Sequence, residues 1–297
     1  MNKIDIHADD YGITIYASEK ILELVNMGKL TGVSVMPNMS IFDEAVELWK
    51  AKLIANRDPL ISVHLNFMEG HSVSNPDYLS YLVNKKGFFN ISWGTLVKYN
   101  YDYRIRGEVK SQLKREIKEQ IDKVIRAYHL LEGKQLRIDS HQHTHMIPLV
   151  MESLLEVIRE NNYPVEYIRI SKEPWIVYLK HPQFYYTYRI INIIKVAVLN
   201  YYAYKNQKML KVNGIPSMLL SGVFLSGKMD KDRIEVLYPK LKKYAQRKNV
   251  FLELLFHPGG ILPEEIGEDF NQPKATEFYL SNNRKIEGDT LKSIVMD

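Results

Sequence analysis

The sequence predicts an α/β fold, with parallel strands covered by helices. Short β-branched runs alternate along the chain with longer stretches of helical apolar spacing. The length agrees: 297 residues is about twice a usual domain, yet α/β barrels of roughly 250 to 300 residues fold as one unit. No repeat, low-complexity tract or Gly/Ser linker divides the chain, so residues 1–297 read as a single domain.

Lys3 to His7 reads as the first strand. Ile15 to Met27 follows as a helix, with Ala17, Ile21, Leu22, Leu24 and Val25 on its apolar face and Gly28 as its stop. Val33 to Met36 is a second strand ended by Pro37, Ile41 to Ile54 a second helix, and Leu60 to Leu65 a third strand. A loop-rich region runs from Glu69 to Asn100. Glu108 to Leu131 is a long charged helix with Leu113, Ile117, Ile121, Val124 and Ile125 on one side. Gln135 to Ile138 is the next strand, and Pro148 opens a helix at its first position, where a missing N–H costs nothing. Val165 to Ile170 and Val250 to Phe256 are two further strands. The segment from about 175 to 211 breaks the alternation. It carries seven tyrosines between Tyr178 and Tyr204 and reads as an insertion packed on the barrel, a lid or a dimer surface, which makes a homodimer the expected assembly.

At 45% hydrophobic and 25% charged, this is the composition of a soluble globular chain. Cysteine is absent, which excludes disulfides, thiolate nucleophiles and cysteine-based zinc sites, so any metal must be held by His, Asp or Glu. The net charge of +5 comes from dispersed Lys and Arg, with no arginine-rich arm or basic helix, so no nucleic-acid partner is expected. The N-terminus lacks the apolar run of a signal peptide. The most apolar stretch, Ile190 to Tyr204, carries Lys195 and two asparagines and falls short of the roughly 20 residues of a span. A cytoplasmic protein without a membrane partner is expected.

The informative residues follow the strands. The first strand runs into His7-Ala8-Asp9-Asp10-Tyr11-Gly12, the third contains His64-Leu65-Asn66, and the fourth runs into Asp139-Ser140-His141-Gln142-His143-Thr144-His145. Arg169 and Glu173 end or follow the next, and Glu253 precedes His257-Pro258-Gly259 in the last. Six of nine histidines (7, 64, 141, 143, 145 and 257) thus sit at or just beyond strand ends; only His71, His129 and His181 do not. In a parallel barrel those ends open on one face, where such folds place their active sites. Asp9 and Asp10 point to opposite sides if the backbone stays extended, so one can coordinate a metal while the other accepts a proton. Helix capping is the competing role, but Thr14 lies closer to the helix start. In an extended segment His141, His143 and His145 would share one side; three ligands from one strand crowd an ion, so one is read as a ligand and the others as orienting or lining groups. Trp93, Trp175 and the tyrosines offer faces for sugar rings, although core packing is the first reading of each.

These motifs, in this order and approximate spacing over almost the whole chain, resemble the YdjC-like (ChbG-type) carbohydrate deacetylases. The residues that carry the resemblance are His7-Ala-Asp9-Asp10-Tyr-Gly12, Val63-His64-Leu65-Asn66 with Glu69-Gly70, Ile138 to Pro148, and Glu253 with His257-Pro258-Gly259. The resemblance implies a deformed (β/α) TIM-like barrel of the polysaccharide-deacetylase kind and one divalent metal ion held by Asp10, His64 and His141. It puts Asp9 at the catalytic base and His257 at the acid or leaving-group partner. His143, His145, Asp139, Arg169, Asn66 and Glu253 fall to substrate or supporting positions. The family usually has Asn in place of His7, which is read as packing beside the site, and Phe in place of Tyr11.

The implied activity is hydrolysis of N-acetyl groups from amino sugars or small chito-oligosaccharides. A facial set of one carboxylate and two imidazoles suits Zn, Co, Ni, Fe or Mn and admits Mg. Two other readings stand: a barrel phosphoesterase or amidohydrolase, which usually needs two metals and often a carbamylated lysine (Lys172 is the only lysine just past a strand end), and a non-catalytic sugar-binding relative.

Overall fold

Residue parity along the first strand decides the architecture. In the computed structural model, which describes residues 4–130, 135–216 and 218–296, β1 spans Ile4–Tyr11 and is buried almost throughout. Asp5, His7 and Asp9 therefore occupy one face while Ile6 and Ala8 occupy the other. The remaining strands are β2 (Gly32–Val35), β3 (Leu60–Leu65), β4 (Leu136–Ser140), β5 (Val165–Ile168), β6 (Met218–Ser221) and β7 (Phe251–Phe256). All pairings are parallel, in the order β5-β4-β3-β2-β1-β7-β6.

This sheet is curled. In a flat sheet β5 and β7 would lie roughly 24 Å apart, five steps of about 4.8 Å. Instead the Tyr167 hydroxyl on β5 donates to Glu253 on β7 at 2.6 Å. The polar face lines the inside of the curl, where Ser34, His64, Arg137, Asp139 and Tyr167 meet Asp5, His7 and Asp9. One backbone hydrogen bond, Leu220 N–H to Lys172 O at 3.0 Å, links the two sheet edges just beyond β5. The outer face carries Val33, Val35, Val63, Leu65, Ile138 and Leu254 into the apolar core beneath the helices.

The covering helices are α1 (Ile15–Asn26), α2 (Phe42–Lys52), α3 (Trp93–Tyr101), α4 (Arg106–Tyr128), α5 (Pro148–Glu160), α6 (Trp175–Leu179), α7 (Ile190–Val212), α8 (Lys231–Lys248), α9 (Pro273–Leu280) and α10 (Asn283–Ser293). Thr14 caps α1, accepting from Ala17 N–H at 3.2 Å. Val109, Leu113, Ile117, Ile121 and Val124 of α4, spaced three or four apart, are fully buried and Ile125 partly so, and its outer lysines pair with α5, as Lys110 with Glu156 at 2.6 Å. The tyrosine-rich segment forms α6, a 3-10 stretch over Pro182–Thr187, and α7, whose Val196, Leu199 and Tyr202 join the core.

Most boundaries expected from the sequence lie within two residues of the observed ones; Lys3 and Leu131 fall outside the described residues. Other elements were not foreseen: the loop expected over Glu69 to Asn100 ends in α3, no helix was expected at α6 to α10, and β6 is four residues with no alternation to mark them. No helix among the described residues is long and apolar enough to cross a membrane.

Candidate active site

The C-terminal end of β1 does not run straight. Its pairing with β2 shifts register between Ala8 and Tyr11, and Asp10 takes φ +69°, a left-handed conformation that Asp tolerates better than most residues. The expectation that the two carboxylates point apart is thereby corrected. Both approach the same imidazole nitrogen, His64 Nε2, Asp10 Oδ1 at 3.4 Å and Asp9 Oδ2 at 3.9 Å.

Asp10, His64 and His141 come together from the ends of three strands, each offering a ligand atom within 4.8 Å of the others. His141 Nδ1 lies 3.0 Å from Asp10 Oδ1. Donors bonded to one ion at about 2.0–2.2 Å stand roughly 3.0 to 3.5 Å apart at angles between 90° and 109°, and these spacings fit. The chemistry of the donors fits too. His64 Nδ1 is taken by Asp139 Oδ1 at 2.5 Å, the carboxylate support typical of a metal-bound imidazole. His64 Nε2 is buried without a hydrogen-bond partner. His141 Nε2 hydrogen-bonds the Tyr279 hydroxyl at 2.8 Å, which donates to Glu69 at 2.7 Å, leaving Nδ1 to face Asp10.

Charge is dense here. Arg169, fully buried, holds both oxygens of Asp9 at 2.8 Å, Asp139 at 3.0 Å and Glu253 at 2.6 Å. Arg284 from α10 pairs with Asp10 Oδ2, and Arg137 pairs with Asp5. Burial works to raise the pKa of Asp9, but Arg169 and then His64 hold it far below the usual carboxylate range. Burial opposes ionisation of Asp10 as well, and Arg284 and His141 hold it well below normal. Desolvation pulls His64 down, yet Asp9 and Asp139 outweigh it and lift the imidazole to about 10. Counting Asp5, Asp9, Asp10, Asp139 and Glu253 as carboxylates, the three arginines leave two buried negative charges. Two protonated imidazoles or one divalent cation would neutralise them.

The other expected residues are placed as follows. Strand β4 ends at Ser140, and the next six residues form a kinked 3-10 turn in which Gln142 and His143 have positive φ, so the three histidines do not share one side of an extended segment. Only His141 joins the donor group. His143 hydrogen-bonds Ser171 at 2.9 Å; burial and then Arg169 hold its pKa well below normal. His145 bonds Ser140 at 2.6 Å and the Arg169 carbonyl at 2.7 Å, and burial pushes it down to about 4. Asn66 ties the loop after β3, donating to Asn38 at 3.0 Å and to the Glu69 carbonyl at 2.9 Å. His7 lies within β1, bonded to Asp5 at 3.1 Å and Ser34 at 2.7 Å beneath the donor group. His257, just past β7, is partly exposed. Its Nδ1 has no hydrogen-bond partner and lies 3.8 Å from Glu287, which also accepts its backbone N–H at 2.6 Å. Trp93 packs on Tyr202 and Trp175 on Phe224.

Tyr279, Arg284, Glu287 and Ser34 were missed by sequence reasoning. The first three sit on α9 and α10 without a recognisable motif, and Ser34 is an ordinary strand serine; Glu69 carried the signal of its motif but no role. A two-metal arrangement would draw on His7, Asp9 and Asp139, which also lie close together, but Arg169 already bonds both carboxylates.

Fold and site define a parallel α/β barrel protein with one carboxylate and two imidazoles converging at the strand ends. The chain belongs to the YdjC-like protein family, which matches residues 3–296. It is 25% identical over 173 residues to a carbohydrate deacetylase of Thermoanaerobacter pseudethanolicus, covering 58% of this chain and 63% of that protein. It is 27% identical over 172 residues to a carbohydrate deacetylase of Danio rerio, covering 58% of this chain and 50% of that one. The chain thus spans half to two thirds of the length of these relatives. A solved Enterococcus faecalis structure, provisionally described as a cellobiose-phosphate cleavage protein, superposes over 100% of this chain and 98% of that one, with a TM-score of 0.58 at 18% identity, a likeness of fold.

Proposed function

We propose that this chain is a metal-dependent N-deacetylase acting on acetylated amino sugars or short chito-oligosaccharides. The observation that carries the reading is the convergence of Asp10, His64 and His141 around a buried imidazole nitrogen that has no hydrogen-bond partner. The curated relatives named carbohydrate deacetylases support the substrate class. Asp10, His64 and His141 would hold one divalent ion, of the Zn, Co, Ni, Mn or Mg class. When bound, such an ion polarises an amide carbonyl and lowers the pKa of water.

The chain's own residues supply the rest. Asp9 is kept ionised by Arg169, the state from which a carboxylate can accept a proton from attacking water, and it faces the same His64 nitrogen as the donor group. Asp139 fixes the His64 ring, and Tyr279 with Glu69 fixes His141, so the donors are oriented before substrate arrives. His257 stands at the partly exposed rim with Nδ1 buried 3.8 Å from Glu287, and its ring is the imidazole that would pass a proton to a departing amine.

The test is acetate release from diacetylchitobiose by chelator-treated protein resupplied with each metal, alongside metal content per chain. One ion per chain and restored turnover are expected. No acetate with any metal or any acetylated amino sugar overturns the reading, and about two ions per chain favours the phosphoesterase or amidohydrolase alternative.

A further inference from the structure

Helix α7 is apolar on two opposite faces. Asn192, Val196, Leu199, Ala203, Asn206 and Leu210 form its buried side. On the other side Ile190, Ile194, Ala197, Tyr201 and Tyr204 recur at alternating spacings of four and three and face solvent. Ile190 is 75% exposed and Tyr204 74%, and Tyr186 in the turn just before the helix is 85% exposed. At about 200 Å² for a fully exposed large side chain, Tyr186, Ile190, Ile191, Ile194, Tyr201 and Tyr204 present roughly 800 Å² of uncovered surface. The largest apolar patch of a soluble monomer is usually about 300–600 Å².

That area would suit a second copy of the chain as well as another partner. Charge decides between them. From Pro174 to Pro216 the chain has no acidic residue, while Lys180, Arg189, Lys195, Lys205, Lys208 and Lys211 are all exposed. Two copies meeting through this face would bring like charges together. An exposed aliphatic and tyrosine stripe flanked by lysines is instead the pattern of a helix lying in the interface of an anionic bilayer. Its inner face packs on the turn that carries His141, with Asn206 donating to the Met146 carbonyl at 2.8 Å, so the stripe flanks the end of the barrel that holds the donor group.

We propose that the outer face of α7 docks this protein on a negatively charged phospholipid surface. The contact is peripheral and differs from a membrane span, which no described helix can form. The dimer expected from this tyrosine-rich segment gives way to it on grounds of charge.

The test is co-sedimentation of the full chain with vesicles of phosphatidylcholine alone and with phosphatidylglycerol added. Binding is expected only to the anionic vesicles. Replacing Lys205 and Lys208 together by Gln should weaken it about thirtyfold, at about a factor of five for each lysine near the surface. Ile190→Asp with Ile194→Asp should weaken it at least roughly tenfold, because the apolar contact is lost as well. Both variants should keep the wild-type melting temperature and acetate release from a soluble sugar. The proposal fails if anionic vesicles do not bind the protein, or if the aspartate variant binds as well as the wild type, which would mean charge alone is at work. It fails equally if the chain is a stable dimer split by Ile194→Asp and indifferent to vesicles, in which case a second copy covers the face.

Discussion

Replacing Arg169 by methionine isolates the group on which the buried charges depend. The guanidinium is fully buried and contacts Asp9, Asp139 and Glu253 at 2.6–3.0 Å. Methionine fills similar space but leaves three carboxylates facing one another without it. Breaking a buried ion pair from one side costs about 3–5 kcal/mol, so a loss of about 4 kcal/mol is expected near neutral pH. For 297 residues the unfolding entropy is about 0.6 kcal/mol/K, so the melting temperature should fall by about 6 °C. The pH dependence is the sharper readout. In the wild type Asp9 and Asp139 are held below their ordinary range, so their contribution is present above the unfolded pKa of about 4 and is lost only as pH falls through the lower folded values. Without Arg169 burial dominates and raises these pKa values, so the carboxylates take up protons as pH falls and the penalty shrinks. Urea unfolding of both proteins at about pH 8 and about pH 5 should show a smaller deficit at the lower pH. A variant as stable as the wild type, or one with the same deficit at both pH values, would refute the reasoning.

Three further outcomes are expected. Asp9→Asn should lower kcat by about 10²–10⁴ while leaving metal content unchanged, checked by acetate release and elemental analysis; a matching loss of metal would move Asp9 into the ligand set. Tyr279→Phe removes the hydroxyl between His141 and Glu69 and should weaken metal binding about 10- to 100-fold in a competition titration with a chelating dye. Glu173 is buried and accepts the backbone N–H groups of Gly222, Val223 and Phe224; burial outweighs these bonds and pushes it up to about 7. Because its folded pKa lies above the unfolded one, its contribution is most favourable below about pH 4.5 and declines by about 3 kcal/mol as pH rises to about 7. Unfolding curves of Glu173→Gln should lack that decline, and an unchanged slope across the window would count against it.

How much of this was legible in the sequence depended on whether the signal was local. The strands β1, β3 and β7 and the helices α1 and α4 were readable because apolar spacing and stop residues lie within one window of the chain. That histidines and carboxylates gather at the strand ends was legible because parallel strands bring their C-terminal ends to one face; the particular choice of Asp9, Asp10, His64 and His141 came from the family resemblance. The His141–His145 run was read as extended, and its kink was invisible because two positive φ values at Gln142 and His143 leave no mark in residue type. Likewise the shift in β1 turns Asp10 beside Asp9, which alternation alone would have put on the opposite side.

The sequence by itself determined that the chain alternates strand and helix, that any metal must be held by histidines and carboxylates, and that these gather at strand ends. Only the tertiary structure decided at what distances they meet and which other side chains hold them there. Curling of the sheet brings residues five strands apart within hydrogen-bond reach, Arg169 ties carboxylates from three strands, and the last two helices deliver Tyr279 and Arg284 to His141 and Asp10, more than 130 residues away in sequence. The physical reason is that donor distance and charge balance are properties of the packed interior, set by contacts between distant segments. Residue spacing along the chain carries no record of them.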